Sequence, residues 1–117
     1  MLIPLVMLFK LLCGHALADF ALQNNAMAKG KNPHNKPDYI PAGQKDNLHW
    51  LYWLAAHGLI SGGVVFLITQ NIWCGVAETV LHCGIDFLKC DNRINLHTDQ
   101  FLHFLCRVLY TGAVCSL

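Results

Sequence analysis

Apolar residues gather along this chain into four runs, at about 2–28, 48–69, 72–88 and 99–117, separated by polar stretches. A membrane helix needs about 20 mostly apolar residues, with a range of about 17 to 25, so the first two runs are ample and the last two short but admissible. Residues 29–47 hold Gly30, Pro33, Pro37, Pro41 and Gly43 and read as one exposed polar loop. Only Gln70 and Asn71 join the second run to the third, which forces a helical hairpin. Asp91 to Leu96 makes the last connection. The pattern predicts an all-α fold, a single-domain antiparallel four-helix transmembrane bundle over residues 1–117.

The runs are not clean. His15 and Asp19 interrupt the first, His57 the second, His82 and Asp86 the third, while Asp99 and His103 stand at the head of the fourth. An ionisable side chain at the centre of a membrane helix costs about 2.5 to 3.5 kcal/mol on insertion scales. Interhelical hydrogen bonds return only about 0.6 kcal/mol on average and about 1.7 kcal/mol at most. Pairing between helices does not offset so many ionisable groups, and a shared metal ion is the simplest common partner.

Spacing and depth point the same way. His15, Asp19 and Gln23 are four apart and share one stripe of a helix. The same interval returns as Glu78, His82 and Asp86, and as Asp99, His103 and Arg107, with Gln100 three before His103. Counted from the lysine-bearing ends at about 1.5 Å per residue, Asp19, His57, His82, Asp86 and His103 fall in one half of the bilayer, while His15 lies nearer the midplane. Residues lining a single cavity agree in depth in this way. Glu78, closer to the centre, is expected to pair with Lys10, which otherwise has to snorkel.

Composition narrows the class. At 55% hydrophobic and 13% charged, the chain is too apolar for an ordinary soluble domain of its size. A net charge of +1 offers no clustered basic face for nucleic acid. Six cysteines (Cys13, Cys74, Cys83, Cys90, Cys106 and Cys115) form no C-x-x-C pair and read as small buried fillers. Cys74 and Cys115 fall near the same membrane face, where a disulfide is open to them.

Lys29, Lys31, Lys36, Lys45, Lys89 and Arg93 flank the first and third loops, and the opposite face has no such residues. The positive-inside rule then places those loops in the cytoplasm and both termini outside it, in a multi-pass protein of a bacterial inner membrane. Trp50, Trp53 and Trp73 near helix ends suit an interfacial aromatic belt. Ala16-Leu17-Ala18 is an A-x-A pattern that signal peptidase recognises. The start of the chain lacks a positive n-region, however, Lys10 interrupts the apolar run, and the pattern continues through Phe20, Ala21 and Leu22, so an uncleaved span is expected.

Three stretches taken in order, His15 to Gln23, His82 to Lys89 and Asp99 to His103, resemble the domain-of-unknown-function 3307 family of small bacterial and phage integral membrane proteins. The resemblance covers nearly the whole chain. It implies a helical membrane protein with His15, Asp19, Gln23, His57, His82, Asp86, Lys89, Asp99, Gln100 and His103 as signature residues, and it supplies no activity. The proline-rich first loop departs from the tighter connection the family leads one to expect, which leaves the start of the second helix open.

Imidazole with carboxylate is a borderline ligand set suited to zinc, iron(II) or manganese. The expected metal ligands are His15, Asp19, His57, His82, Asp86 and His103, enough for one divalent ion or for two. Asp99 or Asp86 is the expected general base. Gln23, Gln100, Lys89 and Arg93 are placed around them, with Lys89 and Arg93 at the mouth to hold a phosphate headgroup. The leading expectation is a metal-dependent hydrolase of a lipid-borne substrate at the cytoplasmic leaflet, its ion acidifying a bound water. Ion or proton transport or sensing is a second reading, and a phage accessory protein with a purely structural polar cluster is a third. The apolar opposite halves, Leu2 to Leu8, Val64 to Ile68 and Val108 to Val114, count against a conducting path. For a homo-oligomer, Gly58-x-x-x-Gly62 is the nearest approach to a dimer face.

Overall fold

The computed structural model describes residues 2–35, 43 and 48–116. Among the described residues all regular structure is helical. Helix α1 is Leu2–Ala16 and runs on through a π-helical turn at Leu17–Ala21; α2 is Asn25–Gly30, α3 His49–Thr69, α4 Ile72–Cys90 and α5 Leu96–Cys115.

Local chemistry sets these ends. The helix expected over 2–28 is two helices. Leu22 N–H bonds to Leu17 O at 2.8 Å, one residue wider than an α turn. The chain then leaves the helix at Asn24, whose side chain accepts from Met27 N at 2.8 Å. A capping amide that satisfies the first N–H groups of a new helix overrides a continuing apolar pattern. Asn71 caps α4 in the same manner, accepting from Trp73 N at 2.9 Å and Cys74 N at 3.2 Å. With Gln70 in the left-handed region (φ 56°), the reversal after α3 takes just the two residues expected. Asn95 caps α5 through Thr98 N at 2.8 Å, so that helix starts at Leu96 rather than 99, its first turn being polar. Helix α4 likewise extends two residues beyond 88, to Cys90.

The four long helices close into a ring: α1 touches α3 and α5, and α4 touches the same two. Neighbours run antiparallel. Gly14 lies against Val64 and Ile68, Gly58 against Cys83, and Gly62 against Thr79. A Cβ on Gly62 would collide with Thr79 Oγ1 and lie 2.6 Å from the Gly75 carbonyl. The Gly58-x-x-x-Gly62 face, expected to serve a dimer if anything, is therefore occupied inside the chain, where it lets α3 and α4 approach closely. All six cysteines are free thiols, which corrects the disulfide left open for Cys74 and Cys115.

The bundle is apolar outside and polar within. Val80 and Leu109 are each 67% exposed, whereas Glu78, His82 and Asp99 are 0% exposed. Arg107, His57, His82, His103 and Glu78 are among the largest fully buried side chains. Two segments, Leu2–Ala21 and His49–Thr69, are long and apolar enough to cross a membrane by length and composition. Helices α4 and α5 carry most of the interior charge, which lowers their mean hydropathy below that standard.

Candidate metal centre

The polar interior is assembled from all four long helices. At its heart three donor atoms converge. His57 Nε2 of α3 lies 2.9 Å from His82 Nε2 of α4, and Asp19 Oδ1, from the π turn, is 3.2 Å from each of them. It accepts a well-aligned hydrogen bond from neither. Asp86 Oδ2 is 3.5 Å from His57 Nε2. In a tetrahedral site with metal–nitrogen bonds of about 2.0 Å, neighbouring ligand atoms are about 3.3 Å apart, close to the edges of this triangle.

The proton positions sharpen the point. Glu78 Oε1 is 3.1 Å from His82 Nδ1. An ionised carboxylate only accepts, so the proton of a neutral His82 resides on Nδ1 and Nε2 presents a bare lone pair. That lone pair faces a carboxylate oxygen and a second imidazole nitrogen. A proton can bridge one pair of these atoms at a time, whereas a cation at their centre serves all three.

Beneath the triangle a layer of polar side chains holds His82. Glu78 accepts from Ser61 Oγ at 2.8 Å and Tyr110 OH at 2.9 Å, and pairs with Arg107 Nη1 at 2.7 Å. Arg107 Nη2 also reaches Ser61 Oγ at 3.3 Å and His15 Nδ1 at 3.2 Å. Glu78 thus takes Arg107, not Lys10, which is exposed on α1. Above the triangle, Asp86 is held by Lys31 at 2.6 Å and Lys89 at 3.0 Å.

Beside it lies a group with unused valence. His103 stacks on His82 with ring centroids 4.3 Å apart, is 1% exposed, and has no hydrogen-bond partner on either ring nitrogen. Asp99 Oδ1, equally buried and unpaired, lies 3.5 Å from His103 Nε2. Gln100 Nε2 reaches Asp99 Oδ2 at 3.1 Å and Asp19 Oδ2 at 3.3 Å, while its Oε1 meets His15 Nε2 at 3.0 Å.

Two donor groups have metal-binding geometry, Asp19 with His82 and His103, and His57 with His82 and Asp86. Five of the six expected ligands are in them. His15 is at the cluster too, with both ring nitrogens engaged by Gln100 and Arg107. Gln23 and Arg93 are not brought in. The wider π turn advances the helix past the four-residue stripe, and Gln23 donates only to the Asp19 carbonyl at 3.2 Å. Arg93, 69% exposed at its side chain, closes on Asp91 at 2.8 Å.

The family match spans residues 7–116, nearly the whole chain, to the family described as Protein of unknown function (DUF3307). The chain belongs to the DUF3307 family. No curated protein and no solved structure matches it.

Five cluster members of this DUF3307 protein lie outside the site expected from the sequence: Lys31, Ser61, Glu78, Arg107 and Tyr110. Lys31 looked like an exposed loop charge but is 3% exposed, because α2 folds back and drops it onto Asp86. Glu78 and Arg107 carried a signal, their four-residue intervals to His82 and His103. Asp86 pairs with Lys89, three residues on, while Arg107 crosses to Glu78.

Proposed function

We propose that this DUF3307 protein is a four-span integral membrane protein that binds a divalent transition metal at Asp19, His57, His82 and Asp86 and uses it to hydrolyse a lipid-type substrate. The inverted distribution of polarity supports the membrane reading beyond the two most apolar helices. In a hydrocarbon solvent exposed leucine and valine are at home, and buried charge has to be paired internally. The same solvent makes α4 and α5 spans, since their charged residues face inward and their outer faces carry Val76, Val80, Leu105 and Leu109. Lys29, Lys89 and Arg93 lie at one end of the bundle, which the positive-inside rule assigns to the cytoplasm, in a bacterial inner membrane.

One observation carries the metal: two imidazole nitrogens and a carboxylate oxygen within 2.9 to 3.2 Å of one another, dry and without mutual hydrogen bonds that satisfy all three. Charge agrees. With the imidazoles neutral, as metal ligation requires, the four buried carboxylates among the described residues, Asp19, Glu78, Asp86 and Asp99, face three permanent cations, Lys31, Lys89 and Arg107, which leaves the cluster one positive charge short. Zinc, iron(II) or manganese matches the donor set.

Hydrolysis is favoured over transport because the polar chain is a dead end. Past Glu78 and Tyr110 the interior closes with Leu11, Val65 and Cys74, against which Met7, Ile68 and Val114 pack. A site whose exposed polar edge is Lys89, 27% exposed at its side chain, serves a substrate whose headgroup approaches from that side. A divalent ion there lowers the pKa of its water toward about 7. Asp86 is neutralised by two lysines, so Asp99 is the carboxylate with an oxygen to spare for the reacting water.

The test is elemental analysis of the full chain purified in detergent. The wild type is expected to retain zinc, iron or manganese, and the double variant His57→Ala/His82→Ala to lose it at unchanged helix content. Equal metal in both, or none in the wild type, removes the centre. Release of product from phosphate and carboxylate esters of short-chain lipids, abolished by chelator and restored by the metal, tests the chemistry; a rate indifferent to chelator overturns it.

A further inference from the structure

Building on the metal centre proposed above, we infer that it holds two divalent ions, the second between His103, Asp99 and Asp19, and that the pair serves a lipid phosphate monoester. The second position stands on orphaned donors. Both nitrogens of His103 and Oδ1 of Asp99 are buried, unpartnered and 3.5 Å apart across the Nε2 atom. An imidazole 1% exposed with neither nitrogen bonded to a protein group leaves both its hydrogen-bonding positions for a ligand, since buried polar groups in native structures nearly always have a partner. A ligand of positive charge meets that need and takes up Asp99 Oδ1 as well, which beside two ions serves as a ligand in place of the base role it has beside one.

The two positions share Asp19, and Asp99 belongs to the second through its 3.5 Å approach to His103 Nε2. His57, His82 and Asp19 Oδ1 define the first. The donor atoms of Asp19, His82 and His103 all fall within 4.8 Å of one another, so Asp19 is placed to bridge. Two-ion hydrolytic sites hold their metals about 3.5 to 4 Å apart. Gln100, bonded to Asp19 Oδ2 and Asp99 Oδ2, fixes the two carboxylates relative to each other. The second ion, with three protein donors, keeps room for water or substrate, and the first, with Asp86 as a fourth, takes it by expanding its coordination.

Charge then names the substrate class. One divalent ion turns the cluster's single excess negative charge into one positive, and two turn it into three. Loss of a proton from a shared water leaves two positive charges, which a dianion cancels. A phosphate monoester is such a dianion, and Lys89, half-exposed between Asp86 and Asp99, lies on its way in. In the reaction the water oxygen bonds to phosphorus. The bond from phosphorus to the lipid oxygen breaks with its electron pair, the lipid oxygen takes from solvent a proton equivalent to the one the shared water released, and the remaining proton of that water stays on the phosphate.

The full chain in detergent, stripped with chelator and reloaded with manganese(II), is expected to bind two ions per chain and to show an exchange-coupled paramagnetic resonance spectrum. Inorganic phosphate is expected to bind the loaded form at least tenfold more tightly than the stripped form. His103→Ala is expected to halve the manganese and abolish the coupling. One ion per chain in the wild type overturns the second position while leaving the first; none overturns both. Two ions without tighter phosphate binding overturn the substrate class. Should His103→Ala fail to fold, the wild-type count and coupling decide the matter alone.

Discussion

From Lys31 to Glu78 the interior of the bundle is ionic and hydrogen-bonded; from Tyr110 to Leu11 and Val65 it is packed hydrocarbon. Both regions are enclosed by the same four helices, and both are fully buried. They differ in what removal of a side chain does. In the apolar region a lost methyl leaves a gap. In the ionic region a lost partner leaves a charge with nowhere to go, so its residues are held in place by one another more strictly than packing alone would require.

The sharpest break of this contrast is Arg107→Met. It strands Glu78, and removing one partner of a buried pair costs about 3 to 5 kcal/mol. Unfolding in mixed micelles by sodium dodecyl sulfate is expected to show that loss, and Glu78→Leu/Arg107→Met to recover a large part of it without restoring metal. A double variant no more stable than the single one would mean the pair is not coupled. In the hydrocarbon region Leu11→Ala is expected to cost about 2 to 5 kcal/mol. Its metal content should stay at the wild-type level; a fall in metal would erase the distinction between the regions.

Glu78→Gln is milder. It keeps the shape and the Ser61 contact but weakens the hold on His82 Nδ1, and loss of such an outer partner lowers metal affinity about 10 to 100-fold. Competition with a chromogenic chelator measures it, and an unchanged affinity would show that His82 needs no anchor.

The smallest effect lies outside the bundle. Hydrogen bonds from Arg93 and His34 hold the Asp91 carboxyl below its usual value of 3.8. With a folded pKa below the unfolded one, the clasp is present above pH 3.8 and lost as pH falls through the depressed value. Hydrogen exchange at residues 91–95 is expected to speed up only in that acid range. Acceleration near neutrality would assign the clasp to another group.

Much of the cluster was legible from the four-residue intervals, because a helix repeats every 3.6 residues and any polar stripe on an otherwise apolar helix must face inward. Asp19, His82, Asp86, Asp99 and His103 followed from that alone. His57 has no partner at that interval and was placed only by depth, yet it supplies a corner of the donor triangle. What could not be read was anything set by a side chain bonding across helices or by a local cap. Lys31 enters the site because Asn24 starts a new helix that carries the chain back. Arg107 takes Glu78 over Asp99 because neighbouring antiparallel helices match residue 107 to residue 78. The four helices themselves were visible as hydropathy runs, while four of the ends moved by two or more residues, for reasons of local chemistry that hydropathy does not register.

The wide turn at Leu17–Ala21 has an evolutionary corollary. It accommodates one residue more than an ordinary helix would, so deleting any single position there would rewind the segment by about 100° per residue and swing Asp19 toward lipid. Leu17 and Phe20, which face outward, should exchange freely among lipophilic types, whereas Ala18, Asp19 and the length of the turn should admit no change.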